Sequence, residues 1–417
     1  MPETPAQTLS AVPLLAEIEA ARAVVARVAQ VTPLESSRYL TEVLGAEVLM
    51  KLENLQRTGA YKIRGAYYRL SRLTDEEKAR GVVAASAGNH AQGVAFAARE
   101  LGIKATIFMP LGVALPKLQA TRDYGADVLL RGHTVEEPLK AAAEYAAATG
   151  AVLIPPFDHP DVIVGQGTLG LEILDQAPGL ETIIVPIGGG GLISGVASAV
   201  KQRAAAEGRT VRVIGVQAAN AAAYPVSLAA GEPTLIHTSA TIADGIAVAK
   251  PGLLNFEIIK ELVDEVVTVS EADIARAILV LLERAKLVVE PAGAVGVAAI
   301  LAGLIPASGQ TVVILSGGNI DPLLMQRVIS HGLAASDRYL KLRIMLPDRP
   351  GQLARTAEIV AEANANVIEV LHTRHGRGLQ LSEVELELSV ETRGPEHRAE
   401  VVAKLVEAGY DVQLDED

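Results

Sequence analysis

Four short stretches of this sequence combine glycine with polar residues that can do chemistry. They are TGAYKIRGA at 58–66, SAGNH at 86–90, VPIGGGGLISG at 185–195 and SGGN at 316–319. The last three contain or follow β-branched runs that predict strands, and α/β proteins bind ligands in loops at the carboxyl ends of such strands. These stretches are therefore the candidates for a functional site.

Lys62 lies where a glycine-containing loop leads into a predicted helix, between Gly59 and Gly65 and close to Arg64. A lysine in the first turn of a helix meets the positive end of the helix dipole. Burial and neighbouring cations would lower its pKa and give a neutral amine that can attack a carbonyl group. Most single lysines are solvated surface residues, so the motif alone leaves both readings of Lys62 open.

The glycines at 188–191 lie between a predicted strand and a predicted helix. Glycine lets the backbone approach an anion closely, and the N–H groups at a helix start favour negative charge. The common nucleotide-binding motifs fail on spacing, because Ser194 and Val196 stand where those motifs need a glycine and a lysine. The run predicts either a phosphate loop or a tight turn.

The SAGNH and SGGN stretches are weaker signals when each is considered separately. SAGNH offers a hydroxyl, an amide and an imidazole at a helix start, a combination that can hold a carboxylate. Asn89 or His90 can equally serve as helix-capping residues. SGGN ends a buried strand, and in isolation it is an ordinary turn.

The elements around these stretches predict a two-part protein. From about residue 47, β-branched runs alternate with Ala-rich helical segments, which indicates an α/β body with a parallel sheet covered on both faces. LKLRIML at 340–346 alternates strictly, and the segments after it complete a βαββαβ order. That order is typical of a ferredoxin-like α+β unit, so we place the domain boundary near 336–339.

The composition narrows the functional classes. The chain has 417 residues, and its 37 basic and 49 acidic residues give a net charge of −12, which argues against nucleic acid as a partner. The absence of cysteine excludes disulfides, thiolate metal sites and a cysteine nucleophile, and it fits a reducing compartment. We see no signal peptide, and proline and glycine interrupt the uncharged stretches at 182–200 and 291–320. We expect no membrane span and a cytoplasmic location.

Taken together, ENLQRTGAYKIRGA, SAGNHAQG, GGGGLISG and SGGN resemble the threonine dehydratases, also called threonine ammonia-lyases. These are pyridoxal-phosphate enzymes of fold type II, the tryptophan-synthase-β type. The resemblance covers roughly residues 10–335. The last part of the chain, with DRPGQL and NANV, resembles an ACT domain, a regulatory module that often binds amino acids.

The resemblance implies a domain organisation. A pyridoxal-phosphate-dependent catalytic domain would occupy residues 1–335 and would consist of two parallel-sheet subdomains. The smaller subdomain, about 58–165, would be inserted in the larger one. An ACT-like domain of ferredoxin-like topology would occupy 340–417.

The resemblance also implies roles for individual residues. Lys62 would hold the cofactor covalently and remove the substrate α-proton, Asn89 would bind the cofactor's 3′ oxygen, and Ser316 would face its ring nitrogen. The phosphate would lie on Gly188, Gly189, Gly190, Gly191 and Leu192. The substrate carboxylate would lie on Ser86, Ala87, Gly88, Asn89 and His90.

The implied reaction removes water from L-threonine and gives 2-oxobutanoate and ammonia, and the resemblance implies that it is the first step of isoleucine biosynthesis. A branched-chain amino-acid effector such as isoleucine would bind the C-terminal domain across a subunit interface, and the chain would form a homodimer or homotetramer. The expected effector residues are Pro350, Gly351, Leu353 and Asn366. The alternatives are a dehydratase that prefers L-serine, a non-catalytic amino-acid sensor on this fold, and a nucleotide-dependent oxidoreductase, which the glycine spacing disfavours.

The sequence departs from the family pattern in three stretches. Ala60 and Tyr61 replace the serine and phenylalanine of the common TGSFK motif. Ala87 stands where serine racemases carry a serine that acts as a base on the opposite face, which favours elimination over racemisation. Gln217 and Ala223 stand where some relatives carry metal-binding carboxylates, so we expect no divalent metal there, while a monovalent ion stays open.

Overall fold

The computed structural model describes residues 11–134, 136–334, 338–374, 380 and 382–414. Its contacts divide the chain into two units, Met1–Leu324 and Met325–Asp417. The division falls before the boundary near 336–339 that the sequence pattern indicates. As a result, most of helix α14 (Pro322–Ala334) is grouped with the second unit.

The first unit alternates helices and strands along the chain. Its helices are α1 (Leu15–Val25), α2 (Arg38–Leu44), α3 (Lys62–Ser71), α4 (Asp75–Arg80), α5 (Asn89–Glu100), α6 (Leu115–Asp123), α7 (Glu136–Thr149), α8 (Pro160–Gln176), α9 (Gly191–Ala206), α10 (Ala223–Ala230), α11 (Leu253–Leu262), α12 (Glu271–Val280) and α13 (Pro291–Leu301). Its strands are β1 (Leu34–Ser36), β2 (Val48–Lys51), β3 (Val82–Ala85), β4 (Ala105–Met109), β5 (Asp127–Leu130), β6 (Val152–Leu153), β7 (Leu180–Pro186), β8 (Arg212–Ala218), β9 (Glu265–Val269) and β10 (Gln310–Ile314).

Two separate sheets form this unit. The larger has six strands in the order β1-β2-β10-β7-β8-β9, and all neighbours are parallel except β1 and β2. The smaller has four parallel strands in the order β5-β4-β3-β6, which the chain forms between β2 and β7. The predicted α/β body with two parallel-sheet subdomains is confirmed. The buried residues of β7 and β10 explain their charge-poor sequences, because helices cover both faces of the sheet.

Helix α3 begins at Lys62. Where α5 and α8 cross it, these two helices carry glycine, because a side chain there would come too close to the α3 backbone. A β-carbon on Gly165 of α8 would lie 2.7 Å from both the Arg64 carbonyl oxygen and the Gly65 α-carbon. A β-carbon on Gly93 of α5 would lie 3.2 Å from the Lys62 carbonyl carbon. These glycines let the helices from both subdomains approach the α3 backbone directly, which fixes the start of α3.

The second unit is a small antiparallel sheet with helices. After α14 it contains β11 (Tyr339–Pro347), α15 (Gln352–Glu362), β12 (Asn366–Thr373), β13 (Glu383–Glu391), α16 (Pro395–Glu407) and β14 (Asp411–Leu414). The strand order is β12-β13-β11-β14, so the predicted ferredoxin-like topology is confirmed. The strict alternation of β11 puts Leu340, Leu342, Ile344 and Leu346 into the core of this unit.

A search for membrane-crossing helices gives a negative result for the residues described above. None of these helices has both the length and the apolar character that a crossing needs.

Candidate active site

The loop before Lys62 is attached to the turn that follows β10. Ala60 and Gly317 form an isolated antiparallel bridge. On either side of it, the Tyr61 N–H donates to the Ser316 carbonyl oxygen at 3.1 Å, and the Gly318 N–H donates to the Gly59 carbonyl oxygen at 2.8 Å. Backbone hydrogen bonds therefore hold together two stretches that lie far apart in the sequence. Lys62 is the first residue of α3, as the loop-to-helix pattern predicts.

A buried cluster of charges holds the first turn of α3. Arg64 donates two hydrogen bonds of 2.8 Å to Glu53 and one of 3.0 Å to Glu172. Lys51 donates to the other oxygen of Glu172 at 2.6 Å. All four side chains are buried, so each charge depends on its partners rather than on water.

The environment of the Lys62 amine favours its neutral form. Its Nζ donates to the Pro156 carbonyl oxygen at 2.9 Å and lies 5.3 Å from the centroid of the Tyr61 ring. Burial lowers the pKa of Lys62 to about 8, although the charge of Glu290 acts in the opposite direction. The predicted pKa reduction is confirmed, but Arg64 is not its cause, because Glu53 and Glu172 bind the Arg64 guanidinium.

The predicted glycine loop joins β7 to α9 and has no room for side chains. A β-carbon on Gly189 would overlap the Phe157 ring, and one on Gly190 would overlap the Tyr224 hydroxyl. Gly190 also has a φ of +98°, a left-handed value that favours glycine. The Gly189 carbonyl oxygen accepts hydrogen bonds of 3.1 Å from Tyr224 and from Asn255. The neighbouring protein therefore fixes the loop from several sides.

The N–H groups of this loop are available to a ligand. Within the described residues, the backbone N–H groups at positions 188–192 have no hydrogen-bond acceptor. The loop is largely buried and continues into the N-terminus of a 16-residue helix, where the helix dipole adds positive potential. Buried N–H groups that have no acceptor in the protein can bind an anion, and a phosphate group has the required chemistry.

The Ser86–His90 loop connects β3 to α5 and forms a second anion-binding candidate. The Ser86 hydroxyl oxygen accepts from the Gly88 N–H at 3.1 Å, and helix α5 begins at Asn89. The ring of His90 points away from the loop, because its Nε2 lies 2.9 Å from the Ile154 carbonyl oxygen. Burial lowers the pKa of His90 to about 3, which keeps the ring neutral. Of the His90 groups, only the main-chain N–H is therefore free to serve this loop.

Asn89 links this loop to two residues to which the sequence patterns assigned no role. Its Nδ2 donates to Glu290 Oε1 at 2.6 Å, and its Oδ1 accepts from Asn319 Nδ2 at 2.8 Å. Asn319 lies within SGGN, so the motif contained it, whereas Glu290 precedes a proline at a helix start and looks like a capping residue. Only the tertiary structure places Glu290 beside Asn89.

Glu290 is a buried carboxyl at the centre of the site. Burial and the charge of Asp244 raise its pKa to about 7, while Lys117, Asn89 and Lys62 act in the opposite direction. Lys117 and Asp244 form an ion pair of 2.8 Å that joins α6 of the small subdomain to the large subdomain. Neither residue of this pair was predicted, because they lie 127 positions apart.

The residues present fit the cofactor that the resemblance implies, pyridoxal phosphate. The glycine loop offers unpartnered N–H groups to a phosphate, and Ser316 offers a hydroxyl for which no hydrogen bond occurs within the described residues. Lys62 is connected to both of these groups. The bridge between Ala60 and Gly317 joins its loop to the Ser316 turn, and its Nζ donates to Pro156, whose neighbour Phe157 packs on the glycine loop. The predicted contacts of individual residues with the cofactor are part of the proposal below.

The predicted effector residues lie at opposite ends of the C-terminal sheet. Gly351 precedes α15 with a φ of +92°, and Pro350 and Leu353 are its exposed neighbours beyond the end of β11. Asn366 is the first residue of β12 and pairs with Glu391, the residue that also pairs with the start of β11. The nine-residue length of β11 separates these ends by roughly 27 Å. The four residues do not meet within one chain.

Gln217, where some relatives carry a carboxylate, has a structural role here. Its Oε1 accepts from the Tyr224 N–H at 2.9 Å, and its Nε2 is 3.4 Å from the carbonyl oxygens of Ile187 and Ala221. Across the parts of the chain that the structure describes, no group of three or more His, Asp or Glu side chains is arranged to hold a metal ion.

Family comparisons agree with this organisation. The family model described as "Pyridoxal-phosphate dependent enzyme" matches residues 25–317, and the model described as "ACT domain" matches residues 341–408. An L-threonine ammonia-lyase from Thermotoga maritima is 46% identical over 400 residues, which is 96% of this chain and 99% of that protein.

The similar solved structures include a threonine deaminase and a serine racemase. The processed form of threonine deaminase isoform 2 from Solanum lycopersicum has a TM-score of 0.71 and 36% identity, covering 79% of this chain and 98% of that one. Maize serine racemase has a TM-score of 0.72 and 35% identity, covering 78% of this chain and 98% of that one. The same fold thus occurs in a protein named threonine deaminase and in a protein named serine racemase.

The buried carboxyl of Glu290 gives a prediction about stability and pH. Its folded pKa is raised from 4.5 to about 7, so between these pH values the unfolded chain releases the proton first. Wild-type protein then loses stability relative to Glu290→Gln as the pH rises, and above about pH 7 the difference becomes constant. We expect calorimetry of the cofactor-free proteins to show this widening gap in unfolding temperature. The exposed Glu232→Gln variant is the control, and a gap that does not change from pH 4.5 to 7 would contradict the buried environment.

Proposed function

We propose a reaction for this chain, which belongs to the pyridoxal-phosphate-dependent enzymes and carries an ACT domain in its C-terminal part. The chain removes water from L-threonine, and the enamine that is released takes up water to give 2-oxobutanoate and ammonia. The observation that carries this proposal is the arrangement of Lys62, a partly buried amine with a lowered pKa, between a glycine loop with unpartnered N–H groups and a second anion-binding loop. Threonine is the substrate in the name of the Thermotoga maritima relative.

Pyridoxal phosphate, when bound, withdraws electrons from the substrate α-carbon. Lys62 holds the cofactor and then takes the α-proton, a role that suits an amine whose pKa is lowered to about 8. The loop at 188–192 binds the phosphate, Asn89 binds the 3′ oxygen, and Ser316 faces the ring nitrogen. A neutral hydroxyl in that position makes the ring a weaker electron acceptor than an aspartate partner would, which favours rapid elimination over longer-lived carbanion chemistry.

The substrate carboxylate binds the Ser86–His90 loop beside a lysine that the sequence patterns missed. Within the loop itself the available donors are neutral, because His90 is uncharged and bound to Ile154. Lys117 supplies the positive charge, since its Nζ lies 3.7 Å from the position that a β-carbon on Gly88 would occupy. The pairing of Lys117 with Asp244 is consistent with this role, because the substrate carboxylate can take the place of the Asp244 carboxylate at the Lys117 ammonium.

Racemisation is the reaction suggested by the similarity to maize serine racemase. A racemase needs a second acid–base group on the face of the substrate opposite Lys62, and the loop carries Ala87 at the position where serine racemases carry a serine. A methyl group cannot exchange protons. We therefore favour elimination.

Serine is the alternative substrate, and it differs from threonine by one methyl group. Such a difference supports only about 10–200-fold discrimination in kcat/KM. The proposed preference for threonine rests on the names of the relatives. A comparison of kcat/KM for the two amino acids decides between them.

Regulation, assembly and cellular location complete the proposal. The four expected effector residues come together only if Gly351 of one copy approaches Asn366 of another, so an amino-acid effector would bind between copies of the C-terminal domain. The edge strand β12 exposes Ile368, Val370 and Leu371, an apolar surface that a second copy would cover. We propose that the chain forms a homo-oligomer in the cytoplasm. Its reaction would be a step of isoleucine biosynthesis.

Lys62→Ala tests the reaction directly. The variant lacks the amine that holds the cofactor and takes the proton, so we expect loss of both 2-oxobutanoate formation from L-threonine and the visible absorbance of lysine-bound cofactor. Lys140→Ala removes an exposed lysine and should behave like wild type. Turnover at the wild-type rate by Lys62→Ala, or a colourless wild-type protein after addition of the cofactor, would contradict the proposal and favour the non-catalytic sensor.

Lys117→Gln tests how the carboxylate is recognised. Loss of a charged hydrogen bond to the substrate should raise KM for L-threonine about tenfold or more while the affinity for the cofactor stays unchanged. The matched control is Lys104→Gln, because Lys104 also belongs to the small subdomain and pairs with an aspartate at 3.2 Å, but on the surface. An unchanged KM in Lys117→Gln would show that Lys117 does not meet the substrate.

Calorimetric titration tests the regulatory part of the proposal. L-isoleucine or L-valine should give saturable binding to the wild-type protein, and Asn366→Ala should weaken it because the variant removes one side of the site. L-lysine, with a charged side chain, is the control titrant. The absence of heat with both branched-chain amino acids would remove them as effectors.

A further inference from the structure

The orientation of the Asn89 amide follows from a chain of hydrogen bonds that starts at a backbone carbonyl. A carbonyl oxygen only accepts, so the Asn319 side-chain atom that lies 2.7 Å from the Thr58 carbonyl oxygen must be its amide nitrogen. The same nitrogen lies 2.8 Å from an Asn89 side-chain atom, which must then be the oxygen. The remaining Asn89 atom, its nitrogen, faces Glu290 at 2.6 Å.

This assignment leaves one N–H of Asn89 available. An amide nitrogen carries two hydrogens, and Glu290 Oε1 accepts one of them. For the second, the described residues provide no acceptor within hydrogen-bonding distance. Asn89 therefore has a free donor, while its oxygen is occupied by Asn319.

Glycine residues let the backbone pack closely around Asn319 and Glu290. Gly59, with a φ of +70°, lies against the Asn319 side chain, and a β-carbon there would be 2.8 Å from Asn319 Cγ. Gly317 lies against Glu290 in the same way, and a β-carbon there would be 3.1 Å from Asn89 Nδ2. The two glycines allow the backbone to enclose both side chains, and the Thr58 carbonyl oxygen, which can only accept, keeps the Asn319 nitrogen on its side.

We propose that Asn319 and Glu290 are positioning residues that lock the Asn89 amide and thereby present an N–H group, rather than the oxygen, to the 3′ oxygen of the cofactor. The 3′ oxygen carries negative charge, which an N–H stabilises and an amide oxygen repels. Without the lock, the amide would rotate between both orientations, and cofactor binding would have to select one of them. The inference rests on the role proposed above for Asn89.

Asn319→Asp is the decisive variant, because a carboxylate of the same shape cannot donate to Thr58 or to Asn89. It draws the Asn89 nitrogen towards itself and turns the Asn89 oxygen to the other side. We expect about tenfold to hundredfold weaker binding of pyridoxal phosphate and a shifted visible band in spectral titrations of the full-length chain. Glu290→Gln should have a smaller effect, because the glutamine oxygen still accepts from Asn89.

The matched control is Asn54→Asp. Asn54 also donates to a backbone carbonyl oxygen, that of Val288 at 3.1 Å, and lies beside the same turn, but no hydrogen bond connects its side chain with Asn89. It should lower the unfolding temperature and leave the position of the visible band unchanged. Wild-type affinity and an unshifted band in Asn319→Asp would overturn the proposal.

A double-mutant cycle separates the lock from a general effect on the Lys62 loop. Asn89→Asp cannot donate in either orientation, so Asn319→Asp should add little to it if Asn319 acts through Asn89. Full additivity of the two changes would overturn the proposal. If Asn319→Asp does not fold, Asn319→Leu, which is similar in size and cannot donate, replaces it in the same cycle. Because the readout is cofactor binding, it stands even if the protein does not convert threonine.

Discussion

The position of Lys62 depends on the buried pairing of Arg64 with Glu53 and Glu172. A guanidinium that has no access to water needs partners for its charge and its hydrogen bonds, and the carboxylates supply both. These groups come from a short turn after β2, from α3 and from α8, so satisfying them fixes α3 against the large subdomain. Lys51 completes the charge balance through Glu172. The amine two residues before Arg64 is thereby held in place by a cluster that does no chemistry itself.

Glycine residues let the backbone segments that form the site pack closely against their neighbours. Glycines let the Lys62 loop approach the SGGN turn, and they let the phosphate-binding candidate loop pack against Phe157 and Tyr224. This close packing leaves N–H groups unpartnered in a largely buried place, which is unfavourable unless an anion arrives. Lys62 is subject to the same balance, since burial disfavours its charge and a ligand that reacts with the neutral amine removes the cost.

The sequence identified the two parts of the chain and their topology. Alternating βα segments and the βαββαβ order both correspond to the observed sheets, because hydrophobic periodicity and chain order are local properties. The same patterns gave the right elements for Lys62, the glycine run and the Ser86–His90 loop. Strand register, which the sequence patterns do not give, places the effector candidates Asn366 and Gly351 at opposite ends of the sheet within one chain.

The sequence by itself determined which residues are the candidates for the chemistry, because a lysine after a glycine loop, a run of glycines and a serine in a turn are recognisable from residue type and spacing. Tertiary structure alone decided the pKa values and the hydrogen-bond partners of those residues. Glu290 looks like a helix cap in sequence, and only folding places its carboxyl on Asn89 and within electrostatic reach of Lys62. Arg64, which lies next to Lys62 in the sequence, turns to Glu53 and leaves the amine unaffected. The physical reason is that pKa shifts and hydrogen-bond orientation depend on distance and burial in space, and neither can be read from separation along the chain.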